Sequence, residues 1–214
     1  MKEVQAIFFD FDGVILESVD VKGWAFRELF KDYPEHMDEI VSFHYANGGM
    51  SRFDKFRYFY KNIFKKPLDD KEFTRLCEEF ALIVCHRVLE CDFVPGAIEF
   101  IQTYYQKIPL FIITGTPQNE ILMIVKEKEL NHYFQGIFGS PTPKEVWVKK
   151  ILEDRNLRAS KVVFVGDAMS DYYAAKENGL CFVARVKDTE SNIFKGKKID
   201  HKIKDLFELH RLIV

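Results

Sequence analysis

An open, doubly wound parallel α/β sheet of Rossmann-like type, with a helical cap inserted near its start, is the fold this sequence predicts. Three observations predict it. Short apolar runs of strand character recur at 4–9, 110–113, 162–165 and 182–184. Amphipathic helical patterns separate the last three. Residues 17–92 break this alternation and contain helical patterns only.

Val4 to Phe9 is β-rich, apolar on both faces and stopped by Asp10-Phe11-Asp12-Gly13, the profile of a buried parallel strand ending in a turn. Four helices are predicted next, near 20–32, 35–46, 52–65 and 70–90. Asp69 or Asp70 is placed to cap the last, and Phe73, Leu76, Cys77, Phe80, Ile83 and Val84 form its apolar face. Pro95 fits a first helical turn, with Ile98, Ile101 and Tyr105 following at helical spacing. After the run at 110–113, Pro117 opens a helix carrying Ile121, Ile124 and Leu130. Further helices are predicted over 144–154 and 170–178, the second closed by Gly179. The tail from Ile199 reads as a short edge strand and a helix over 205–212. The domain division is thus 1–16 with 93–214 for the core, and 17–92 for the cap.

The chain has 214 residues, which at roughly 100–200 residues per domain allows one domain with an insertion. With 31 Lys and Arg against 33 Asp and Glu, the net charge of -2 gives no electrostatic reason to expect nucleic acid or an anionic membrane as partner. Met1-Lys2-Glu3 leads into an apolar run too short for a signal peptide. The apolar run Phe80 to Cys85, bounded by Glu79 and His86, is far below bilayer-spanning length. Cys77, Cys85, Cys91 and Cys181 form no C-x-x-C pair and no zinc-spaced cluster. They read as reduced core residues of a cytoplasmic protein.

Ligands of open α/β sheets lie beyond the carboxyl ends of the strands. The first strand is followed by Asp10 and Asp12, the second by Thr114-Gly115-Thr116, and the run at 162–165 by Gly166-Asp167 and Asp171. Lys144 precedes the helix over 144–154. Four carboxylates converging on one edge repel each other unless a cation is present, and hard oxygen ligands suit Mg²⁺. A carboxylate beside a metal can attack phosphorus. A second, two residues on, can protonate the leaving oxygen and then activate water. Thr114 and the Gly115 N–H can hold phosphoryl oxygens, and Lys144 can offset charge on the nucleophile. Asp often ends a strand as a plain turn residue, so no one of these motifs decides the chemistry; their joint occurrence does.

In this order and spacing the motifs resemble those of the haloacid dehalogenase superfamily, and within it the phosphoglycolate-phosphatase and β-phosphoglucomutase type with a helical cap. Asp10-Phe11-Asp12-Gly13-Val14-Ile15 matches the first motif, Thr114 the second, Lys144 the third, and Asp167 with Asp171 the fourth. Val94-Pro95-Gly96-Ala97 resembles the usual return from cap to core. The resemblance implies that Asp10 is nucleophile and Mg²⁺ ligand, and that Asp12 is general acid/base with its backbone carbonyl on the metal. It implies that Asp167 completes the protein ligands and that Asp171 supports the site through water or Lys144. One departure is Glu145 after Lys144, where the family usually has proline; a carboxylate so close is placed to redirect the lysine.

In the cap, Asn47-Gly48-Gly49-Met50-Ser51-Arg52 resembles a loop that reaches the substrate in phosphoglucomutase-like members. Ser51 is either an N-cap or a substrate contact, and Arg52 a candidate anion clamp. The following bases and aromatics, Lys55 to Lys61, read as a helix with one buried aromatic face and one solvated basic face. His44 reads as a surface or cap-packing residue. The resemblance thus implies a Mg²⁺-dependent phosphatase, a monomer or small homo-oligomer, that hydrolyses a small phosphorylated metabolite (a sugar phosphate or phosphoglycolate-like ester) through an aspartyl phosphate. The alternatives are a phosphosugar mutase and, from another class, a non-catalytic phospho-acceptor or binding domain.

Overall fold

The computed structural model describes residues 3–48, 50–187 and 193–213. Its first strand is also its central one. β1 (Ala6–Phe9) pairs in parallel with β2 (Leu110–Pro117) on one side and β4 (Val162–Gly166) on the other. β3 (Gly136–Ser140), β5 (Cys181–Arg185) and β6 (His201–Ile203) complete a six-stranded parallel sheet of order β3-β2-β1-β4-β5-β6. Strand order reverses at β1, so a crevice opens at its carboxyl end.

Alternation along β1 sends Ile7 and Phe9 to one core and Ala6 and Phe8 to another. Both faces are therefore buried, which is why the strand is apolar throughout. The first core is covered by α5 (Ala97–Tyr104), α6 (Gln118–Glu127) and α9 (Leu206–Ile213). The second is covered by α7 (Lys144–Asp154) and α8 (Met169–Glu177).

Between β1 and α5 lie only helices: α1 (Val19–Leu29), α2 (Met37–Ala46) after a 3₁₀ turn, α3 (Arg52–Tyr58) and α4 (Asp70–Glu90). Their core is aromatic, with Phe26 packed on Phe80 at 4.7 Å and on Phe59 at 5.6 Å. The two legs joining this cap to the sheet are pinned together, Glu17 N–H donating to the Asp92 carbonyl at 3.0 Å and Val94 N–H to the Ile15 carbonyl at 2.9 Å.

Four expectations need correction. β3 went unread, because its two glycines and half-buried edge position mute the apolar signal. β2 runs on to Pro117 through a register shift after Ile113, so Thr114 and Gly115 lie within the strand's irregular end rather than after it. The helix expected over 52–65 changes at Phe59 into a π-helical turn that buries Phe59, Tyr60 and Ile63 together. All four cysteines are half-buried at the margins of the cores rather than inside them, and Cys77, Cys85 and Cys91 are free thiols. Among the described residues, no helix is long and apolar enough to cross a membrane.

Candidate active site

Asp10 leaves the carboxyl end of β1 almost fully buried, with Oδ1 accepting the Phe11 N–H at 2.7 Å. Lys144, the first residue of α7, places its ammonium 2.8 Å from Asp10 Oδ2 and 2.6 Å from Asp171 Oδ1. Asp171, fully buried in the first turn of α8, also accepts the Ala168 N–H at 3.0 Å. Asp167 lies in the turn between β4 and α8. Carboxylate oxygens of Asp10, Asp167 and Asp171 all fall within 4.8 Å of one another. Two glycines make room for this crowding. A Cβ on Gly13, whose φ is +75°, would come 2.1 Å from Asp167 Oδ2, and one on Gly166 would come 2.3 Å from the Asp171 Cβ.

Three carboxylates share one ammonium here, and the pKa shifts follow. Burial alone would depress Lys144, but Asp10 and Asp171 outweigh it and hold the lysine charged. Burial, then the charge of Asp10, push Asp171 up to about 7 despite its contact with Lys144. Burial and the charges of Asp10 and Asp171 raise Asp167 well above the ordinary carboxylate range. Such a donor set is short of positive charge and consists of hard oxygens, which fits a divalent cation such as Mg²⁺.

Asp12 faces the other way, toward the cap. Its carboxylate accepts from Ser18 Oγ at 2.5 Å, from Thr116 Oγ1 at 2.8 Å and from the Lys22 ammonium. Burial works against ionisation, yet Lys22 and the hydroxyls lower the Asp12 pKa overall. The Asp12 side chain stays outside the carboxylate cluster of Asp10, Asp167 and Asp171. Thr114 is buried, and both it and Gly115 line the crevice beside Asp10. Glu145 is exposed, and the Lys144 ammonium pairs with Asp10 and Asp171 rather than with it.

In the cap loop the N-cap reading of Ser51 holds, and Arg52 is paired within the protein. Ser51 caps α3: its Oγ accepts the Asp54 N–H at 3.3 Å and donates to Asp54 Oδ2 at 2.7 Å. Arg52 forms a two-pronged ion pair with Glu120 of α6, with Nη1 to Oε2 at 2.8 Å and Nη2 on Oε1. Gly49 of this loop lies outside the described residues.

Lys22, Thr116, His44, Lys55 and Glu120 also face this crevice; of these the sequence placed only Thr116 at the sheet's carboxyl edge, and without a role. A lone lysine on a surface-type helix carries no signal, so Lys22 was illegible. Lys55 was legible: Arg52, Lys55, Phe56 and Phe59 fall at i, i+3, i+4 and i+7, one face of a helix. The basic face assigned to solvent is therefore partly buried. Lys55 is 2% exposed, with Nζ 2.8 Å from Nδ1 of the equally buried His44. Burial, then Lys22, bring Lys55 down to about 7, while burial and Lys55 push His44 down to about 3. His44 packs against Phe26 within the cap, with ring centroids 4.9 Å apart.

The family model for haloacid dehalogenase-like hydrolases matches residues 7–185. The chain belongs to that family. This hydrolase is 26% identical over 184 residues to a phosphorylated carbohydrates phosphatase of Thermotoga maritima, covering 83% of its own chain and 82% of that protein. It is 23% identical over 185 residues to a phosphoglycolate phosphatase of Pseudomonas savastanoi, covering 83% and 68%. Its fold is that of a HAD-hydrolase from Bacillus subtilis whose structure bound to magnesium reveals interdomain movement, with a TM-score of 0.74, 18% identity and 99% of both chains covered.

Proposed function

We propose that this hydrolase is a Mg²⁺-dependent phosphatase of small phosphate monoesters that works through an aspartyl phosphate on Asp10. One observation carries the reading: a buried nucleophile-grade carboxylate, Asp10, shares an ammonium with a charge-deficient carboxylate cluster, and a second carboxylate stands two residues away. Asp10, Asp167 and the Asp12 carbonyl would hold Mg²⁺, with Asp171 behind them. Bound there, the ion offsets phosphate charge and keeps the carboxylates ionised.

The chain's own residues then divide the work. Lys144 holds the Asp10 carboxylate in place. Thr114 Oγ1 and the Gly115 N–H receive phosphoryl oxygens. The Asp10 carboxylate attacks phosphorus while Asp12 protonates the departing alkoxide; Asp12 next takes a proton from water, which opens the acyl phosphate. Asp12 must carry a proton for the first step. In this structure Lys22 keeps it ionised, and an incoming phosphate dianion would draw Lys22 off and raise the Asp12 pKa.

The names of the relatives bring phosphorylated carbohydrates and phosphoglycolate among the candidates. The mutase alternative rested on Ser51 and Arg52, whose side chains are committed to Asp54 and Glu120. Among the described residues no structural feature favours it, and membership of a hydrolase family argues against a non-catalytic scaffold. The test uses an aryl phosphate with Mg²⁺ and with EDTA. Asp10→Asn is expected to abolish turnover while the protein stays folded. Asp12→Asn is expected to slow it by about 10²–10⁴-fold, the range of general acid–base catalysis. Full activity in EDTA, or near-wild-type rates in both variants, would place the chemistry elsewhere.

A further inference from the structure

The crevice above Asp10 widens into a chamber between core and cap of about 540 Å³. That lies within the ~300–1,000 Å³ of pockets that enclose drug-sized ligands, and is far more than a phosphoryl group with a two-carbon alcohol needs. Its wall is apolar. Phe80, Ala81, Val84 and Val88 present one stripe of α4, and Met123 and Ile124 face in from α6.

The polar groups of the chamber are mostly engaged. Lys22 is held by Asp12 and Thr116, and Arg52 by Glu120. Lys55 rests on His44 and, among the described residues, forms no ion pair. Among the described residues, Arg52 Nε and His44 Nε2 are buried atoms of the lining left without a hydrogen-bond partner. A sugar placed here would still bury most of its hydroxyls against the carbon of α4 and α6, and each unpaired hydroxyl costs binding energy. An apolar body would displace water from the wall at no such cost.

On the phosphatase reading above, we infer that the preferred substrate is a phosphate monoester of a predominantly apolar alcohol, seated against α4 and α6. The phosphoryl end meets Asp10 and Lys144, and the carbon body fills the chamber. This selects a class different from the polyols and small hydroxy acids of the relatives' names.

The test is a chain-length series on the wild-type protein with Mg²⁺: ethyl, propyl, butyl, pentyl and hexyl phosphate, beside phosphoglycolate and glucose 6-phosphate. Each added methylene is expected to raise kcat/KM about threefold or more, the scale of burying one CH₂. Hexyl phosphate is expected to exceed both polar esters. Ala81→Phe, which fills the chamber from α4, should end the rise at a shorter chain. A flat or falling series, faster turnover of the polar esters, or a series unaltered by Ala81→Phe would overturn the inference and leave the phosphatase reading standing. Failure to hydrolyse any ester would remove both.

Discussion

Lys55 shows what a single buried ammonium does to its surroundings. It sits among Phe26, Phe56 and His44 with its charge unneutralised, and burial holds its pKa at about 7 against an ordinary 10.5. Between those two values the unfolded chain binds a proton that the folded chain does not. Stability from this residue therefore rises with pH across that window, and its full cost is present below about pH 7. Lys55→Met keeps the volume and removes the charge, though it also leaves His44 Nδ1 without its donor. The stability of Lys55→Met relative to wild type should therefore be greatest near pH 6 and shrink steadily toward pH 10. Urea unfolding at several pH values measures that difference; a pH-independent difference would mean that Lys55 is not buried as a cation.

Across elements, α3 and α6 decide how the cap meets the core. Arg52 opens α3, is 8% exposed in its side chain, and spans the cleft to Glu120 in the first turn of α6. Together with the paired legs at Glu17 and Asp92, this contact ties the cap to the core beside the crevice. Removing either partner strands the other, at a cost of about 1–3 kcal/mol. If the pair is a latch, Arg52→Ala and Glu120→Ala should lower kcat/KM by similar factors, and equally for phenyl phosphate and phosphoglycolate. The double variant should be no worse than either single one. Were Arg52 instead a clamp on a substrate carboxylate, Arg52→Ala alone would strike phosphoglycolate and spare phenyl phosphate. Full kinetics on the two esters separates these outcomes.

At the scale of the whole molecule, strand order creates the charge problem that the metal would solve. Because β1 is flanked by β2 and β4, the turns after β1 and β4 meet α7's first residue in one buried place. Asp167 and Asp171 are raised, Asp171 to about 7, so the folded protein binds more protons than the unfolded chain between about pH 4 and 7. Stability from this cluster is thus full at low pH and is lost as pH rises through that window when no metal is bound. His44, held at about 3, acts in the opposite direction over much of the same range. The informative quantity is therefore the difference between wild type and Asp167→Asn. In EDTA the variant should gain on wild type from pH 4 to 7, and Mg²⁺ should raise the Tm of wild type but not of the variant. A Tm indifferent to Mg²⁺ at pH 7.5 would contradict a metal site at Asp10 and Asp167.

What the sequence determined by itself was whatever depends on local order. The apolar run at Ile7-Phe8-Phe9 ending in Asp10, the caps at Ser51 and Asp69, and the helices of the insertion are properties of neighbouring residues. Asp10, Lys144 and Asp167 were legible because each follows or opens an element of recognisable pattern, and Thr114 because it ends the apolar run of β2, though the strand itself runs on to Pro117. Only the tertiary structure decided which partners those residues find. β3 is held in the sheet by pairing with β2, not by its own glycine-interrupted sequence. Lys22 reaches Asp12, Arg52 reaches Glu120 and Lys55 reaches His44 across helices that share no sequence period. A side chain's charge state and partner depend on burial and on groups brought from distant segments. Both are fixed only when the cap packs over the carboxyl edge of the sheet.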